Sequence, residues 1–287
     1  MSFPYLRELF TFEGWYIGDE KVTDVNGTML EGKEILQRKE REIYAKWTAN
    51  EHYTYKLLIV YITKLDVLIP DRTNSSKVQV NYEMTDFERQ ICHAITKQMK
   101  TYLDDMFDGL VTFEVDEYFT ENLVTTESVT TGLAADGKKT NWIMADRIPE
   151  VKDMLDDYQS VFTSFSLNDV ELKLHNSNGV AGPKYGAIYF DTLFLPLTAL
   201  NEPIENLFDL NYWGWVEVLE PFIHELAHTI EMQIDAYEYH WTVSYYQQVY
   251  GMNDNIEITK LYFNNKAVID GVEVGIPIEF WAGKMNV

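Results

Sequence analysis

Cysteine is almost absent: Cys92 stands alone in 287 residues, which excludes an intramolecular disulfide framework and any metal cluster built on several thiolates. Flanked by apolar residues in a helical pattern, it reads as a small buried hydrophobe and not as a nucleophile. No stretch approaches the roughly eighteen consecutive apolar residues of a bilayer-spanning helix, so no membrane span is expected. Positive charge is scarce as well. Lysine and arginine number 23 against 46 aspartates and glutamates, a formal charge of −23, and a field of that sign repels phosphate backbones and anionic lipid surfaces. Nucleic acid is therefore not an expected partner, whereas a neutral or basic peptide or protein is compatible with the charge. The first ten residues, MSFPYLRELF, carry neither a basic stretch nor a sustained apolar run, so no secretory leader is expected in them. A secreted or cell-envelope location is favoured if a leader has been removed.

What is present suffices for a packed core. Hydrophobic residues make up 46% of the chain and aromatic residues 14%, which sets it apart from disordered sequences. No internal repeat or low-complexity tract is visible. VNGT (25–28) marks a turn, and EGKEILQRKEREIYAKW (31–47) reads as a charged helix with a solvated face. KLLIVYIT (56–63) is an unbroken apolar run of the kind found in a buried central strand. A helix is predicted over TDFERQICHAITKQMKTYLDDMF, with Phe87, Ile91, Ala94, Ile95, Tyr102, Leu103 and Met106 on one face and a capping box from Thr85 to Glu88. LVTFEVDEYF alternates as a strand, and TTESVTTGLAADGKKTN reads as a loop. A helix is expected after Pro149, a short strand at DVELKLH (169–175), and a turn followed by a strand in GPKYGAIYFDTLFLP.

Histidine is the other rare residue. Of six in the chain, three fall in PFIHELAHTIEMQIDAYEYHW (221–241), where His224, Glu225 and His228 form H-E-x-x-H. Leu219, Phe222, Ile223, Leu226, Ala227, Ile230 and Ile234 recur at steps of three and four, so a helix here turns one side to a core and presents Glu220, His224, His228, Glu231 and Asp235 on the other. Pro221 fits the first turn of such a helix. Imidazoles one turn apart can share one divalent cation, and zinc accepts nitrogen ligands while keeping a position open for water. Glu225, about 100° round the helix from His224, is displaced from the ligand line and suited to take a proton from that water. Glu231 can orient a ligating imidazole, or serve in a surface ion pair.

This pattern resembles the zincin metallopeptidases. The resemblance implies an α+β fold in which a mixed twisted sheet lies over an active-site helix, followed by a small, mainly helical C-terminal lobe. It also implies Zn²⁺ as cofactor, His224 and His228 as ligands and Glu225 as general base of a zinc-dependent peptidase. On that basis residues 1–50 are expected as an N-terminal extension, 51–235 as the upper catalytic lobe and 236–287 as the lower lobe. In zincins an edge strand ahead of the active helix pairs with extended substrate, and GAIYFDTLF or the segment just before it is the candidate. The chain departs from the metzincin pattern at Glu231 and Ile234, where glycine and histidine are required, and a thermolysin-like Glu-x-x-x-Asp is not evident after residue 240. His240 is the preferred third ligand, with Asp235, Glu238 and Glu257 as alternatives. Tyr245, Tyr246 and Tyr250 are candidates for binding an oxyanion. Two other functions share these residues: a binding protein that keeps the scaffold without turnover, and a zinc hydrolase of a non-peptide amide.

Overall fold

The structure, a computed structural model, describes residues 10–33, 42–49, 53–71, 76–106, 111–133, 137–167, 179–189, 209, 215–234, 260–264, 267–269 and 272–281. It is a mixed α+β architecture that separates into two compact units, Met1–Tyr53 and Thr54–Val287. In the first unit β1 (Phe10–Ile17) pairs antiparallel with β2 (Glu20–Lys21) on one side and β3 (Tyr44–Ala49) on the other. The helix expected over 31–47 is thus corrected at its C-terminal end, which is a strand. Stacking of Tyr44 on Tyr16 at 6.0 Å across the β1–β3 pair outweighs a charge spacing that suits either conformation.

The second unit is built on a five-stranded sheet of order β12-β13-β11-β4-β7. Its strands are β4 (Tyr53–Tyr61), β7 (Val111–Phe119), β11 (Ser160–Phe165), β12 (Gly179–Ala181) and β13 (Tyr185–Tyr189). β4, β11 and β13 run parallel, and β12 returns antiparallel to β13 at the edge. Parallel strands are covered on both faces, which accounts for the unbroken run of β4. Leu57, Ile59 and Tyr61 enter one core, while Leu58 and Val60 enter the other.

On the first face lie α1 (Asp86–Met106), α2 (Trp215–Gln233) and a C-terminal group comprising Tyr262, Phe263, Ile276, Phe280 and Trp281. The cap of α1 is formed as expected: the Glu88 backbone N–H donates to Thr85 Oγ1 at 3.2 Å, and the Thr85 N–H donates to the Glu88 carboxylate at 2.7 Å. On the second face β5 (Lys64–Pro70) lies between antiparallel β6 (Lys77–Glu83) and parallel β8 (Val124–Thr125). The segment read as a loop after residue 124 also holds β9 (Val129–Leu133), which pairs antiparallel with β10 (Lys139–Ile143). Pro149–Asp157 is helical but of the tighter 3-10 type. The C-terminal hairpin consists of β14 (Ala267–Ile269) and β15 (Val272–Val274), followed by the short α3 (Ile278–Trp281). The strand expected at 169–175 lies outside the described residues. No described helix is long and apolar enough to cross a membrane.

Candidate metal centre

The seating of α2 begins two strands away. Gly186 of β13 is paired with Phe162 of β11, and a Cβ at Gly186 would come within 2.1 Å of the Phe162 ring. The bare backbone leaves room for that ring, which meets Phe222 of α2 at a centroid distance of 4.9 Å. Leu219, Phe222, Ile223, Leu226, Ala227 and Ile230 are all buried in this core, the face that their spacing predicts. Pro221 differs from its expected place. The helix begins at Trp215, so Pro221 lies inside it and α2 forgoes one main-chain hydrogen bond there.

The opposite side of α2 carries the histidines, which converge. His224 Nε2 and His228 Nε2 are 3.1 Å apart, with ring centroids at 4.7 Å and planes at 80°. Two nitrogens each bonded to zinc at about 2.0–2.1 Å, across a tetrahedral angle, lie about 3.3 Å apart. The pair therefore fits a shared zinc ion. Behind it, His228 Nδ1 is 2.9 Å from Glu231 Oε2, and the Tyr262 hydroxyl donates to Glu231 Oε1 at 2.5 Å. With Nδ1 as the protonated nitrogen, Nε2 keeps its lone pair on the side facing His224.

Glu225 points elsewhere, toward the sheet edge. A Cβ on Gly179 of β12 would stand 2.6 Å from Glu225 Cγ and 2.8 Å from Oε1, so the carboxyl group occupies the space above a glycine backbone. Burial raises its pKa from 4.5 to about 7; the nearby positive charge of His228 opposes the shift and Glu220 adds to it. A carboxyl titrating near neutrality is suited to exchanging protons. Burial and the neighbouring His228 lower His224 to about 4. For His228 burial acts downward, but the Glu231 hydrogen bond and the charges of Glu231 and Glu225 outweigh it and the pKa is raised.

His224, Glu225, His228 and Glu231 are thus brought together as a group. His240, Asp235, Glu238 and Glu257, named from the sequence as third-ligand candidates, lie outside the described residues, as do Tyr245, Tyr246 and Tyr250. Among the described residues no further histidine, cysteine or carboxylate completes a cluster of three metal donors. The strand GAIYFDTLF is not at the edge in its described part: β13 lies between β12 and β11, and the edge position belongs to β12, the segment before it. Gly179 and Tyr262 escaped sequence reasoning. The first sits in a Gly-rich stretch that reads as turn punctuation, and the second among aromatics with no distinguishing pattern. A cleft of about 450 Å³ lined by Asn122, Ser128, Arg147, Glu150 and Lys152, among others, takes no residue from α2 or β12. Comparison with protein-family models, curated proteins and solved structures finds no match to this chain.

Proposed function

We propose that the protein is a zinc-dependent peptidase of the zincin type, with His224 and His228 as metal ligands and Glu225 as general base. The observation that carries this reading is the convergence of the two Nε2 atoms at 3.1 Å on one turn of a helix whose other face is core. The α+β layout supports it, with α2 packed on a mixed sheet whose edge strand β12 borders Glu225. The third ligand is assigned from sequence alone, to His240. Zinc, when bound, supplies Lewis-acid polarisation of a carbonyl and lowers the pKa of a coordinated water toward about 7.

The chain's own residues supply positioning and proton transfer. The Gly179 backbone borders the Glu225 carboxylate, so an extended peptide lying along β12 would bring its scissile bond within reach of that group. Glu225 accepts a proton from the attacking water and delivers it to the departing amine nitrogen.

Metal analysis paired with a peptide library tests the reading. The wild type should hold zinc stoichiometrically and cleave peptides; Glu225→Gln should retain the zinc and lose cleavage, and His240→Ala should lose zinc. Zinc without cleavage of any substrate would identify a binding protein, and cleavage confined to non-peptide amides would identify a different hydrolase. A wild type that takes up no zinc would refute the proposal.

A further inference from the structure

Glu231 is only 7% exposed, and both of its oxygens are engaged, one by His228 Nδ1 at 2.9 Å and one by the Tyr262 hydroxyl at 2.5 Å. A carboxylate three residues beyond a histidine on the same helix could also rotate toward solvent. The phenol removes that freedom by supplying, inside the core, the hydrogen bond that water would otherwise give.

The segment that carries Tyr262 is also held by bonds outside α2. Tyr262 lies on a helical turn at 260–263, 31 positions from Glu231, and that turn is pinned from other directions. The Tyr262 carbonyl accepts from the Ile276 N–H at 2.9 Å, and the Trp281 indole donates to the Phe263 carbonyl at 3.2 Å. Asn264 Nδ2 donates to the Met106 carbonyl, at the end of α1, at 3.1 Å. The hydroxyl is thereby held at a fixed point against which Glu231 is aimed.

We propose that Tyr262 is a positioning residue for the metal centre, acting through Glu231 to fix the orientation and tautomer of His228. The inference rests on the zinc reading given above. Partners behind a ligating histidine typically contribute about 10- to 100-fold in metal affinity, and here part of that contribution would come through the bond from Tyr262 to Glu231.

Zinc dissociation constants, measured by competition with a chromophoric chelator, decide it. Tyr262→Phe keeps the ring and removes one oxygen; it should weaken zinc binding about tenfold or more. Glu231→Gln, which has one acceptor oxygen for two donors, should weaken it at least as much. Introduced into Glu231→Gln, Tyr262→Phe should cost much less than it costs alone, because the connection is already broken. Thermal unfolding of the metal-free variants shows whether each is folded. If Tyr262→Phe lowers the thermal midpoint but leaves zinc affinity unchanged, the hydroxyl is structural only and the proposal fails. Equal, additive losses in both backgrounds also overturn it, since Tyr262 would then act by another route. A wild type that binds no zinc removes the zinc reading itself, a failure distinct from an unaffected Tyr262→Phe in a zinc-binding protein.

Discussion

Glu225 is held where its negative charge is costly, half-buried against the Gly179 backbone. The cost has a sign that can be worked out for the metal-free chain. A carboxyl whose folded pKa is about 7 against an ordinary 4.5 favours folding fully below pH 4.5, where both states are protonated. That contribution is lost as pH rises through 7, amounting to about 3 kcal/mol by pH 8. Glu225→Gln removes the titration. Urea unfolding of chelator-treated protein should therefore find the variant gaining on the wild type by about 3 kcal/mol between pH 4.5 and 8, and parallel stability curves would contradict the burial argument. At this scale the sequence was partly legible. His224, Glu225 and His228 announce themselves because the i, i+4 pairing of imidazoles follows from helix geometry alone. Gly179 and Tyr262 carry no such mark, because their roles depend on which distant segments the sheet and the core bring to α2.

The contact between β12 and α2 is the element-scale feature on which the site depends, since the Glu225 side chain fills the space that a Cβ at Gly179 would take. A methyl group at position 179 must displace the Glu225 side chain or part the two elements. Gly179→Ala should thus cost about 1–3 kcal/mol in denaturant unfolding, and the cost should largely vanish in a Glu225→Ala background. An equal penalty in both backgrounds would show that the glycine serves its own backbone instead of the glutamate. The elements themselves differed in how openly they appeared. α1 and α2 declared themselves by period and, for α1, by its capping box. β11 did not, because SVFTSF mixes three hydroxyl residues into a strand that is buried throughout. Ser160 shares a hydrogen bond with the Tyr55 hydroxyl at 2.5 Å and Thr163 Oγ1 donates to the Ile143 carbonyl, so partners in other segments make two of the three hydroxyls tolerable. The β9–β10 hairpin was hidden for a related reason, since its threonines and Gly132 read as loop composition until paired.

For the whole molecule, the dominant quantity is the charge of −23. Self-repulsion of that size opposes compaction and is screened by salt over about 10 Å at 0.1 M. Raising NaCl from about 0.01 to 0.5 M should increase the thermal midpoint of the chain, and a fall would mean that the 23 cations contribute more through ion pairs than the excess of acids removes. The connectivity of the central sheet has another consequence. β4 pairs in parallel with β11, and Tyr55 meets Ser160 across 105 positions of sequence. During synthesis β4 and the elements that cover its two faces, β5, β6 and α1, therefore leave the ribosome long before β11 exists, and one border of β4 stays unpaired until then. The central sheet is therefore completed late and by distant encounters, with a strand border open to mispairing until translation has delivered the rest.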